Sequence, residues 1–201
     1  MRIRRATLDD ARSIASVYVR SWQGAYPGLI PQPFLDALRA EERLGMWEEV
    51  LADSSWPRQG VLVVLGSDGL HGSDGNDGPG PGLEAIMGFA SFGPTRDEDL
   101  DADAVGELMT FYLDPTIFGS GAADHLMEGA LAALRDAGFA SASLWVLGTN
   151  ARARRFYERR GWHHDGASKL HDWDAFVATD LRYGIVLDDT PELASPPGAP
   201  L

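Results

Sequence analysis

The chain predicts an α/β (α+β) fold, a mixed sheet of six to seven strands flanked by about four helices. Three observations predict it. Helical and strand-type hydrophobic periods alternate along residues 1–188. A glycine-rich turn joins a strand to an amphipathic helix just past the middle of the chain. The 201 residues are most simply one domain, which would bury roughly 70% of the surface of its unfolded form.

In order, residues 2–6 (RIRRA) form a short first strand around Ile3. Thr7 with Asp10 three residues later has the form of a capping box. Ala11, Ile14, Val17, Tyr18, Trp22 and Ala25 then recur at helical spacing. Tyr26-Pro27-Gly28 ends that helix. Pro31 and Pro33 stand near the start of a second helical stretch, which Glu41 to Ala52 continues. Val61 to Leu65 is a continuous apolar run suited to a buried strand. The segment 66–82, GSDGLHGSDGNDGPGPG, has seven glycines, two prolines and three aspartates, too little apolar surface to offset its ordering entropy. It is expected to be a flexible insertion.

Leu83 to Phe92 resumes as a strand, and Arg96 to Asp103 is a loop with five carboxylates. Glu107 to Leu113 is the next strand, stopped by Asp114-Pro115. The turn Gly119 to Ala123 opens a helix with Leu126, Met127, Ala130, Leu131 and Leu134 on one face, stopped by Gly138. Ala140 to Leu147 is a strand. Asn150 caps a helix that runs to Arg160 and ends at Gly161. Asp174 to Leu187 is the last clear strand, and the proline-rich tail 189–201 is expected to be disordered. The sheet should be antiparallel in its middle and parallel around the later helices.

Composition excludes several functions. With 30 acidic and 17 basic residues the formal net charge is −13, which opposes non-specific nucleic-acid binding. The absence of cysteine excludes disulfides, thiolate metal sites and a cysteine nucleophile. No apolar run nears the ~18 residues of a membrane span, and MRIRRATLDD lacks the apolar region of a signal peptide. A cytoplasmic protein that binds neither membrane nor nucleic acid is expected. His163, His164 and His171 lack an acidic ligand pattern, so no metal is expected.

A strand, a Gly-x-Gly turn and an amphipathic helix together suit a diphosphate, because the first helical N–H groups point at its oxygens. A dinucleotide fingerprint would need a third glycine where Asp124 stands, and a Walker loop would need G-K-[ST]. Neither is present. Downstream, Asn150 and Tyr157 lie seven residues apart, two helical turns, on about the same face.

Over residues 107–162 the chain resembles the GNAT (Gcn5-related) N-acetyltransferases. ELMTFYLDPTIFGSGAADHLM is similar to their acyl-CoA-binding segment, and TNARARRFYERRGW to their second signature. The resemblance implies a mostly antiparallel sheet and acetyl-CoA as acyl donor. Phe118, Gly119, Ser120, Gly121, Ala122 and Ala123 would hold its pyrophosphate, and Met109, Phe111 and Leu113 its pantetheine arm on a strand that splays from its neighbour. Asn150 would bond the donor, and Arg154 or Arg155 its phosphates. Tyr157 would protonate the departing thiolate. Phe118 departs from the family, which has Gln or Arg there and acts largely through the backbone amide.

The resemblance further implies an amine acceptor, a small molecule or peptide, attacking the thioester directly in a ternary complex. Glu107 would take its proton; its other reading is a strand-end carboxylate. Trp22, Tyr26 and His171 would shape the acceptor pocket, although Trp22 also suits core packing. Members often dimerise, so a homodimer is allowed. The alternative is a catalytically silent acyl-CoA-binding or sensor module of the same fold. Deleting residues 67–82 should leave folding intact; a melting temperature unchanged within a few degrees checks the insertion reading.

Overall fold

The structure, a computed structural model, describes residues 1–66, 85–172 and 176–187. Apart from Gly66, the glycine-rich insertion lies outside these residues, as does the proline-rich tail. Seven strands form one sheet in the order β1-β2-β3-β4-β5-β7-β6. They are β1 (Arg2–Arg5), β2 (Gly60–Gly66), β3 (Ala85–Pro94), β4 (Val105–Leu113), β5 (Ser141–Leu147), β6 (His163–Asp172) and β7 (Val177–Val186). The helices are α1 (Ala11–Ala25), α2 (Gln32–Ala37), α3 (Ala40–Ala52), α4 (Ala122–Asp136) and α5 (Ala151–Glu158).

The continuous apolar run of β2 is explained by burial on both faces. Leu62 and Val64 join Leu126, Met127, Ala130 and Leu134 of α4 in one core. Val61, Val63 and Leu65 meet Ile14 and Val17 of α1 and Trp47 and Leu51 of α3 in a second. The capping box forms ahead of α1: the Thr7 N–H donates to the Asp10 carboxylate at 2.7 Å, which Arg4 also holds through two guanidinium nitrogens.

Two expectations are corrected. The second helical stretch breaks at Leu38 and Arg39, both extended, which makes five helices. The segment 163–172, exposed at nearly every position as the edge of the sheet and without a hydrophobic period, is the seventh of the six to seven strands expected. Only β4 and β5 pair in parallel, because the chain after α5 returns antiparallel against β5.

Two features of β4 prepare the site. Its pairing with β3 places Ser91 opposite Thr110 and Phe92 opposite Leu108, so Met109 is the extra residue of a bulge. Its parallel pairing with β5 has only three rungs: Val105 with Ser141, Gly106 with Ala142, and Glu107 with Ser143. Beyond them the strands diverge.

Asp114 anchors the far end of β4. Its carboxylate accepts hydrogen bonds from the Thr116 N–H (3.0 Å), the Thr116 hydroxyl (2.6 Å) and Nε of Arg20 on α1 (2.6 Å). Burial alone would raise its pKa, but these partners hold it below the ordinary carboxylate value. A lowered pKa stabilises the fold above the unfolded value, and the contribution disappears as pH falls through the folded one. Asp114→Ala should therefore cost about 1–2 kcal/mol at pH 7. Denaturation at stepped pH should show the gap from the unsubstituted chain closing below about pH 4.

Candidate active site

The divergence of β4 and β5 opens a cavity of about 390 Å³. Leu108 to Leu113 form one wall and Leu144 to Leu147 the other. Among the described residues no β5 residue pairs with β4 beyond Glu107, so the β4 edge offers peptide groups to an extended, amide-bearing ligand.

At the wide end, Gly119 and Gly121 adopt φ of +80° and +87°, conformations that glycine enters without steric cost. Gly121 caps α4, whose first N–H groups lack helical acceptors and favour an anion. Phe118, Gly119, Gly121 and Ala123 line the cavity. Ser120 instead turns its hydroxyl back to the Ile117 carbonyl at 2.7 Å, and Ala122 is buried in the core.

Positive charge at this end comes from α5 and the turn after it. Arg152, Arg159 and Arg160 line the cavity. The Arg152 guanidinium lies 4.3 Å from the centre of the Phe118 ring, and Arg160 lies over Phe156 and pairs with Asp124. Arg154 is not at the cavity: it donates to the Tyr183 hydroxyl and the Gly148 carbonyl. Arg152 and Arg159 share the seven-residue spacing of Asn150 and Tyr157, two helical turns.

Asn150 caps α5 by accepting the Ala153 N–H at 3.0 Å, and both Asn150 and Tyr157 line the cavity. So do Met109, Phe111, Leu113 and Tyr26. Burial pushes the Tyr157 phenol above its ordinary range. Burial, reinforced by neighbouring phenols, does the same for Tyr26 and Tyr112. All three stay protonated at neutral pH and can act as donors.

Three other candidates stand apart from the cavity lining. Glu107 lies at the last rung where β4 and β5 still pair, with a side chain only 3% exposed. Its carboxylate accepts the Arg96 backbone N–H (3.1 Å), Nε (3.0 Å) and Nη2 (2.5 Å); it is no exposed strand-end acid. Trp22 is buried with Val19, Leu35 and Leu38, its ring 4.9 Å from that of Tyr26. His171, on β6, places Nδ1 3.2 Å from the Asp180 carboxylate.

The sequence profile of the acetyltransferase (GNAT) family matches residues 33–162. The chain belongs to that family. As a GNAT protein it is 32% identical over 148 residues to YuaI of Bacillus subtilis, described as an uncharacterized N-acetyltransferase; the match covers 74% of this chain and 72% of YuaI. An uncharacterized N-acetyltransferase of Mycobacterium tuberculosis is 30% identical over 160 residues, 79% of this chain and 86% of its own.

Its fold is shared with the PaiA N-acetyltransferase of Thermoplasma acidophilum, solved in complex with coenzyme A (TM-score 0.61, 17% identity, 92% of this chain and 98% of that one). It is shared also with YncA of Salmonella typhimurium, solved with its cofactor acetyl-CoA (TM-score 0.61, 20% identity, 99% of each chain).

The cost of disturbing the turn can be isolated at Gly121, where an added Cβ would meet no atom within 4 Å. Gly121→Ala should lose about 1–2 kcal/mol of stability from backbone conformation alone, measured by urea denaturation.

Proposed function

We propose that this GNAT N-acetyltransferase uses acetyl-CoA as donor and acetylates a primary amine of a small molecule or peptide in a ternary complex. The observation that carries the reading is the parting of β4 and β5 after Glu107 and Ser143, with a phosphate-suited turn at the wide end of the gap. Relatives of the same fold solved with coenzyme A or acetyl-CoA support it.

In this reading the turn amides and Arg152 receive the phosphates, and the pantetheine amides pair with Met109 to Leu113. Arg152 on Phe118 supplies the positive side chain that Phe118 itself lacks, since guanidinium both stacks on aromatic rings and matches phosphate oxygens. The thioester then lies toward the narrow end. The amine attacks its carbonyl carbon, the C–N bond forms, and the C–S bond breaks. Tyr157, kept protonated by burial, gives its proton to the leaving thiolate. Rate comes from holding the two reactants together and from strand N–H groups at the bulge facing the developing oxyanion.

Glu107 could act as base only if Arg96 released one of its oxygens. With the pair closed, its part is to hold the acidic loop against the narrow end, and the ammonium proton leaves through water.

Calorimetric titration with acetyl-CoA, followed by CoA release with a panel of amines, tests the function. Saturable one-site binding with amine-dependent release is expected. Binding with no release across the panel would favour the silent sensor module, and no binding at millimolar donor would remove the reading. Tyr157→Phe should lower turnover by about 10²-fold or more while the titration shows donor affinity changed less than about threefold. Unchanged turnover would remove Tyr157 as the acid.

A further inference from the structure

The geometry points to Lys169 as a self-acetylation site, an inference that rests on the reading of the gap as the acetyl-CoA site. Lys169 is the single lysine among 17 basic residues. It sits on β6 opposite Asp180 of β7, which in turn faces Leu147 of β5. Its Nζ lies 3.9 Å from the ring centre of Trp145, and Trp145 lines the cavity.

Trp145 is held in place. Its indole N–H donates to both oxygens of Asp97, at 3.0 and 3.2 Å. Arg182 also bonds Asp97 while gripping Asp99 and Asp165. The ring is a fixed platform, and Lys169 rests on it through a cation–π contact.

The register places this platform along the gap. Ser143 stands beside Glu107 at the last paired rung; two residues further along β5 comes Trp145, which lines the same cavity as Met109, the bulge residue. With phosphates at the wide end and the pantetheine arm along β4, the thioester arrives at this narrow end. The primary amine nearest this platform is the chain's own.

The step is an ordinary acyl transfer. The Lys169 nitrogen bonds the acetyl carbonyl carbon as the C–S bond breaks, giving acetyl-lysine and free CoA. Of the two protons the ammonium gives up, one passes to water. The other balances the proton that Tyr157 donates to the thiolate. The product is neutral, so the cation on Trp145 disappears.

The test is incubation of the purified chain with acetyl-CoA, followed by intact mass and peptide mapping. With one lysine, the competing amine is the N-terminus, which serves as the internal control for chemical acetylation. One acetyl group on Lys169 is expected, added at a rate independent of protein concentration and at least about tenfold slower in Tyr157→Phe. Lys169→Arg should gain no acetyl group beyond the slow modification of the N-terminus, while still binding acetyl-CoA by calorimetry.

Donor binding with Lys169 unmodified would overturn this inference and leave the donor reading standing. Modification no faster than at the N-terminus, or a rate that rises with protein concentration, would also overturn it. No donor binding would remove both.

Discussion

Three rungs of parallel pairing between β4 and β5 are the constraint on which the rest of the site depends. They fix the two halves of the sheet to each other at one end, and their termination at Glu107 and Ser143 turns a sheet into a slot. Fewer rungs would leave β5 to β7 poorly attached. More would close the gap and satisfy the backbone groups on the β4 edge. The bulge at Met109 belongs to the same device, because an extra residue increases local twist and bends the strand. The arrangement keeps a peptide-like edge open inside a folded domain, a feature that proteins otherwise cover or blunt.

Electrostatics complement that geometry. A chain of net charge −13 would repel a polyanionic ligand at long range, so any attraction of one must be local. It is concentrated in α5 and the turn after it, where three arginines face the cavity beside the N-terminal amides of α4. Behind Trp145, outside the cavity lining, Asp97, Asp99 and Asp165 are ion-paired to the single buried arginine Arg182.

The parts legible in sequence were those with a hydrophobic period or a local cap. α1 and α4, the apolar run of β2, and the Asn150 cap with Tyr157 two turns on could all be read along the chain. The strand β6 could not, since both its faces meet water and nothing distinguishes it from a polar loop. The break between α2 and α3 was hidden because Leu38 is apolar and buried yet extended. The cavity arginines were confused with Arg154 because five arginines crowd one short stretch, and only their neighbours in space separate them. Glu107 was found as a residue but not in its setting: Arg96 reaches it only after the acidic loop has folded back.

The sheet has two open margins, and they are defended differently. β1 is four residues long, three of them arginine. β6 is longer but presents His163, His164, Asp165, Lys169, His171 and Asp172 along its length. A strand from another molecule laid against either margin would have to strip water from these groups before gaining backbone hydrogen bonds. Growth of the sheet from chain to chain is therefore disfavoured at both ends, and among the described residues the strand edge left without such groups is internal, facing the slot.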